Sequence, residues 1–178
     1  MAQNEASPWV MRFAPLIPAG GRVLDLAAGA GRHSRFLAAQ GYSVEAVDRD
    51  AEALAALADC AGVHTRCADL EGGPWPYHGS TFTGIVVTRY LWRPLLPTLF
   101  AALEAGGVLI YETFMVGQEA YGQPSNPAYL LRSGELLDLV RGRLNVVAFE
   151  QGEEPGRTGP QVMQRLCAQR GGTLRLPD

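Results

Sequence analysis

Lysine is absent: all fifteen basic residues are arginine. This excludes Schiff-base and pyridoxal-phosphate chemistry, which needs a lysine amine. It also excludes a Walker phosphate loop, which needs its Gly-Lys-Ser/Thr step. Cysteine is scarce. Cys60, Cys67 and Cys167 are odd in number and form no CxxC pair, so neither a disulfide framework nor a metal site is expected. His64 and Cys67 have the spacing of half a metal site, with no second pair to complete it. Long apolar runs are missing too. No stretch approaches the roughly 20 residues that span a bilayer, and the amino terminus shows no signal-peptide core, so a cytoplasmic location is expected. A formal net charge of −3 gives no electrostatic pull toward nucleic acid or acidic membranes.

What is present is a soluble-globular composition, 47% hydrophobic and 19% charged over 178 residues, enough for one well-buried domain, residues 1–178, without room for a second. The chain is organised around residues 22–50. Val23, Leu24 and Leu26 form a short apolar run of the kind a strand covered on both faces shows. It stops at Ala27-Ala28-Gly29-Ala30-Gly31, where small residues let backbone approach a ligand. Residues 32–40 have helical spacing closed by Gly41, and a second strand over 44–47 ends in Asp48. Strand, glycine loop, helix, strand and acid make the first half of a nucleotide-binding βαβ unit.

The rest extends this pattern. Residues 1–21 predict a helix with Pro8 in its first turn, packed on the sheet or acting as a lid in which Trp9 and Phe13 roof a cleft. A helix is expected over 51–61, capped by Asp50, with strands over 63–68 and 82–88. A further helix is expected over 94–103, then a strand over 108–113. Residues 115–131 have no steady period and read as a lid loop. Ser133 is expected to cap a helix reaching about Val140, and residues 144–149 and 162–168 form a closing antiparallel hairpin. The sum is an α/β, doubly wound, seven-stranded, mostly parallel sheet with an antiparallel C-terminal edge hairpin.

Three details select the ligand. In Gly29-Ala30-Gly31-Arg32-His33-Ser34, Ser34 stands where a dinucleotide fingerprint has its last glycine. Asp25, just ahead of the loop, can receive an ammonium or bridge through water, but it would repel a diphosphate. Asp69, at the third strand's end, can accept from an adenine amino group, and Asp48 suits a ribose diol. A ribose, an adenine and a cationic amino-acid tail without phosphate describe S-adenosylmethionine (SAM). The plainer alternative for Asp25 is a helix-capping or water-bound buried carboxylate.

On these residues the chain resembles the class I SAM-dependent methyltransferases, whose sheet is Rossmann-like. VLDLAAGAGRHSRFLAAQGYSVEAVDRD resembles motif I and the following acidic strand end, Cys67-Ala68-Asp69-Leu70 the adenine-contacting segment, and Ile85-Val86-Val87-Thr88 the motif IV strand. Within the superfamily the chain is similar to small bacterial enzymes of the tellurite-resistance methyltransferase type. The resemblance implies Asp25, Ala27, Gly29 and Gly31 around the methionyl part. It puts Asp48 and Arg49 at the ribose and adenine edge, Ala68, Asp69 and Leu70 at the adenine, and Thr88 beneath the sulfonium. Ala27 departs from the family, which usually has glycine there.

The implied reaction is methyl transfer to an acceptor, leaving S-adenosylhomocysteine (SAH). Candidates for the acceptor side lie at the carboxyl ends of strands 1, 4 and 5: His33, Arg89, Tyr90, Arg93 and Glu112. Tyr90 would shape the acceptor pocket, Arg89 or Arg93 would meet an anionic acceptor, and His33 would sit on the helix surface near the cofactor carboxylate. His78 is a loop residue that could reach the site. Asn126-Pro127-Ala128-Tyr129 has the look of an amino-methylating NPPY motif but falls after the fifth strand, so it reads as a turn. The expected partner is a small soluble molecule, without nucleic acid or membrane, for a monomer or homodimer. The alternatives are a non-catalytic SAM- or SAH-binding regulatory domain and an NAD(P)-dependent oxidoreductase.

Overall fold

The computed structural model describes residues 5–156 and 159–177. Residues 1–4 of the expected amino-terminal lid, and Arg157 and Thr158 of the expected hairpin link, lie outside these. Seven strands form one sheet: β1 Arg22–Leu26, β2 Ser43–Asp48, β3 Val63–Cys67, β4 Phe82–Thr88, β5 Leu103–Phe114, β6 Asn145–Pro155 and β7 Pro160–Gln169. The spatial order is β3-β2-β1-β4-β5-β7-β6. The first five strands pair in parallel, and β7 joins β5 and β6 antiparallel. The doubly wound sheet with an antiparallel edge is therefore as expected.

Side-chain alternation covers both faces. Leu24, Leu26, Ile85, Val87, Leu109 and Tyr111 point into one core, which Leu96 and Leu99 of α4 (Leu96–Ala101) and Leu136 and Val140 of α5 (Glu135–Val140) close. Val23, Val44, Val86, Val108 and Ile110 point into the other, beneath α1 (Pro8–Phe13) and Leu37 of α2 (Arg32–Ala39). Trp9 and Phe13 belong to this second core, with Phe13 fully buried and Trp9 Nε1 donating to the Leu166 carbonyl at 3.3 Å. They roof nothing; α1 packs on the sheet.

Three helix boundaries differ from expectation. The helix after Asp50 is only α3, Ala51–Ala55, with the expected cap in place: Asp50 Oδ1 accepts from the Ala53 amide at 2.9 Å. Beyond it the chain tightens into i→i+3 bonds, Leu57 N to Leu54 O and Cys60 N to Leu57 O, which still bury Leu57. The helix expected over 94–103 is a 3₁₀ turn, Arg93–Leu95, followed by α4, and Leu103 already belongs to β5, opposite Phe82. Ser133 does not cap α5. Gly134, in the left-handed region, holds the cap position, and the Ser133 hydroxyl accepts from Gln151 instead. The first turn of α5 is satisfied from afar, Gln164 Oε1 accepting the Leu136 amide at 2.7 Å.

No helix among the described residues is long and apolar enough to cross a membrane.

Candidate active site

The direction of chain connection reverses between β1 and β4, so their carboxyl ends open a crevice. The local sequence builds it from small residues and acids. After Leu26 the chain turns sharply: Ala28 N donates to Val47 O at 3.0 Å and Gly31 N to Ala28 O at 2.9 Å. Gly29 and Gly31 both have positive φ. A Cβ on Gly31 would lie 2.3 Å from Leu57 Cδ1, whereas one on Gly29 would meet nothing within 4 Å. Glycine is thus needed at 31 for packing, and at 29 it faces open space. Among the described residues only two that are not glycine have positive φ, Ala27 at 55° and Arg89 at 54°. They sit at the ends of β1 and β4, flanking the crevice, where strained backbone commonly accompanies function.

Asp25 is 1% exposed. Its Oδ2 accepts from the Ser34 hydroxyl at 2.6 Å, while Oδ1 is buried with no partner. Burial outweighs the hydrogen bonds from Ser34 and the nearby Arg32, pushing its pKa up to about 6. Asp48 holds the neighbouring strand end, Oδ2 accepting the Gly29 amide at 2.8 Å and Oδ1 the Asp50 amide at 2.9 Å. Asp69 follows β3, and backbone amides of Glu71 and Gly72 hold its pKa below the usual carboxylate range.

These elements line a cavity of about 160 Å³ formed by Ala27, Asp48, Arg49, Ala68, Asp69, Leu70, Glu71 and Tyr90. Every residue expected at the ribose and adenine end is in it. Tyr90 lines it as well, beside Asp69 and Glu71. Its hydroxyl is buried without a partner, and burial, then Glu71 and Asp69, push its pKa up.

A larger cavity of about 490 Å³ opens at the ends of β4, β5 and β7. Arg89 and Glu112 line it as candidate residues, together with Arg32, Arg165, Gln161 and the segment Glu5–Pro8. Arg165 is neutralised by Glu112, at 3.1 Å, and by Glu154. Arg89 is exposed, lies over the Phe114 ring and reaches only the neutral Gln161, at 3.4 Å. Among the described residues no carboxylate pairs with it.

Two candidates are elsewhere. Arg93 is spent on structure: Nε and Nη2 grip Glu135 at 2.6 and 3.0 Å, and the remaining donors bind the carbonyls of Ala128 and Leu130. Burial raises the Glu135 pKa, but the Arg93 and Arg132 hydrogen bonds outweigh it and hold the carboxyl down at about 2. His33 is not on a helix surface. It is 2% exposed, and burial, then Arg32 and Arg89, lower its pKa to about 3. His78 is exposed and lines neither cavity. Residues 115–131, expected as a lid, also line neither, being fastened by Arg93 and by Gln118, whose Oε1 accepts the Val162 amide. Asn126-Pro127-Ala128-Tyr129 is a turn, Asn126 Oδ1 accepting the Ala128 amide.

Sequence reasoning missed Ser34 as the partner of Asp25, and Arg165 and Glu5–Pro8 as walls of the larger cavity. The glycine-loop pattern could have flagged Ser34, in the first turn of the helix after the loop. The others lie far away in sequence.

A family model described as a methyltransferase domain matches residues 23–107. That match runs from β1 to the start of β5. The chain's fold is that of the class I SAM-dependent methyltransferases. TehB from Haemophilus influenzae superposes with a TM-score of 0.77 at 18% identity, over 93% of this chain and 63% of that one. This chain therefore spans under two thirds of the TehB length. A SAM-dependent methyltransferase from Methanosarcina mazei gives 0.72 at 18% identity, over 96% of this chain and all of that one. The glycopeptide N-methyltransferase MtfA, solved with sinefungin, gives 0.64 at 20% identity, covering 96% and 89%. No curated protein sequence matches the chain. The crevice has features that would fit SAM: a buried carboxylate oxygen without a partner, open space before Gly29, and an acid-lined cavity at the ends of β2 and β3.

Proposed function

We propose that the protein transfers a methyl group from SAM to a small soluble acceptor, releasing SAH. The observation that carries this reading is Asp25, whose free oxygen lies buried beside a glycine turn and asks for a cation or an N–H donor. Asp25 would receive the methionyl ammonium, with the backbone around Ala27, Gly29 and Gly31 close to the amino-acid tail. Asp48 and Arg49 would meet the ribose and the adenine edge, and Ala68, Asp69 and Leu70 the adenine. Thr88 would lie beneath the sulfonium.

SAM supplies an activated methyl group on a good neutral leaving group. The chain's task is then alignment of the acceptor and exclusion of water. The larger cavity is the acceptor site in this reading. Arg89, without a carboxylate partner, favours an anion, such as an oxyanion of tellurium or selenium or a small carboxylate. Glu112, held by Arg165, serves as a wall and not as a free base. The protein would work in the cytoplasm as a monomer or homodimer, away from nucleic acid and membranes, consistent with its net charge of −3.

Calorimetry with SAH and NADH tests the cofactor, and methyl-labelled SAM offered with tellurite, selenite and small carboxylates tests the transfer. SAH binding without NADH binding, and label transferred to an anion, are expected. NADH binding would overturn the cofactor assignment. SAH binding without transfer to any acceptor would favour a regulatory domain.

A further inference from the structure

His33 has no part in the cofactor contacts above, yet it is buried and joins two distant stretches of chain. It lies in the first turn of α2, where Nε2 accepts the Ser7 backbone amide at 3.2 Å and Nδ1 is 3.3 Å from Thr88 Oγ1. The chemistry of these partners fixes the ring. A backbone amide can only donate, so Nε2 carries a lone pair and the neutral ring keeps its proton on Nδ1. Nδ1–H therefore donates to Thr88 Oγ1, which leaves the Thr88 hydroxyl hydrogen for another acceptor at the end of β4. Burial and the neighbouring guanidinium groups of Arg32 and Arg89 keep the ring neutral, with a pKa of about 3. Doubly protonated, the ring would turn an N–H on the Ser7 N–H and break the contact.

Ser7 is also where the wall of the larger cavity meets α1. Its hydroxyl caps the helix by accepting the Trp9 amide at 3.1 Å, and residues 5–8 line the cavity. The rest of α1 is held by the core through Trp9, Val10 and Phe13. Among the described residues ahead of it, only the small side chains of Ala6 and Ser7 are buried, and Ser7 makes the polar contact to His33.

We propose that His33 is a positioning residue of the acceptor side: it latches residues 5–8 onto the end of β4, closing one wall of the larger cavity, and sets Thr88 as a hydrogen-bond donor there. The part that concerns the acceptor rests on the function proposed above; the latch itself does not.

The test pairs two substitutions that leave His33 untouched. Ser7 has φ −60°, which proline adopts, so Ser7→Pro removes the amide donor and the hydroxyl, whereas Ser7→Ala removes the hydroxyl alone. Hydrogen exchange of a peptide spanning residues 5–13 is expected to be about tenfold faster in Ser7→Pro and His33→Ala than in Ser7→Ala, the equivalent of one hydrogen bond. His33→Gln, whose amide oxygen can still accept from Ser7, should restore protection. Nitrogen NMR of the His33 ring should show Nδ1 protonated and Nε2 bare, unchanged as the solution is taken from neutral to mildly acidic pH. Affinity for SAH should stay within about twofold of the parent in the Ser7 variants, because Ser7 lines the larger cavity and the Thr88–His33 bond is left in place. Equal exchange in Ser7→Pro and Ser7→Ala, or a proton on Nε2, would overturn the latch. Failure of the parent to bind SAH would overturn the cofactor assignment and leave the exchange comparison to judge His33.

Discussion

The Gly29 amide donates to Asp48 Oδ2 at 2.8 Å, so the turn after β1 is tied to the end of β2 by the carboxylate proposed to bind the ribose. The other oxygen of Asp48 takes the Asp50 amide, fixing the carboxylate from both sides. One side chain thus shapes the glycine turn and presents an acid to the smaller cavity. Asp48→Ala should weaken SAH binding about tenfold or more, since a diol left without partners costs roughly 1–3 kcal/mol and the turn loses its tie. Calorimetry with SAH measures it, and parent-like affinity would remove Asp48 from the ribose site.

Asp25 makes binding pH-dependent. Its folded pKa is raised from 3.8 to about 6, with Ser34, Arg32 and Asp48 as its near neighbours. An ammonium ligand needs the carboxylate, so SAH affinity should fall as pH drops from 7 to 5, and Asp25→Asn should bind weakly with little slope. The sign for stability of the free protein is opposite. The native state holds the proton more tightly than the unfolded chain, so Asp25 costs stability as pH rises through roughly 4 to 6. The difference in melting temperature between parent and Asp25→Asn should shift in the variant's favour across that window.

Arg93→Ala should destabilise the fold by about 3–5 kcal/mol, because it leaves the Glu135 carboxylate, whose side chain is 3% exposed, without its bidentate partner. Urea unfolding measures this, and SAH affinity should not change. Glu135 also sets an acid limit. Its folded pKa lies near 2 against an ordinary 4.5, so the stability it contributes is complete above about 4.5 and is lost as pH falls toward 2.

The βαβ core was legible because its signals are local. Glycines at 29 and 31, the apolar run before them and the acids at 25 and 48 all lie within one stretch of about thirty residues, and their partners Ser34 and Asp50 lie in the same stretch. What was not legible depends on distant partners. His33 looks like a helix-surface residue until Ser7 and Thr88 are brought to it. Arg93 looks like a strand-end cation until Glu135 arrives from 42 residues away. Ser133 has the right chemistry for a helix cap, but Gln164 Oε1 on β7 already accepts the Leu136 amide. Trp9 and Phe13 read as core beneath a sheet-packed helix, with a roof over the cleft as the alternative, and the packing against Val23, Val44 and Ile110 decides for core.

Gly31→Ala should cost about 2–3 kcal/mol, since the added methyl would lie 2.3 Å from Leu57 Cδ1 at a φ of +75°. Thermal unfolding detects it. Gly29→Ala meets no atom in the free protein, so it should lose less stability but more SAH affinity. That inversion between two glycines of one turn would mark which of them faces the ligand.

The order of strands in the sheet also bears on biosynthesis. β1 lies between β2, made 17 residues later, and β4, made after nearly half of the chain. Until Phe82–Thr88 leaves the ribosome, the apolar strand at the centre of the finished sheet has one bare edge, and such an edge invites pairing with another chain. Nascent protein stalled short of Thr88 should therefore be the form most dependent on chaperones and the form most prone to aggregate.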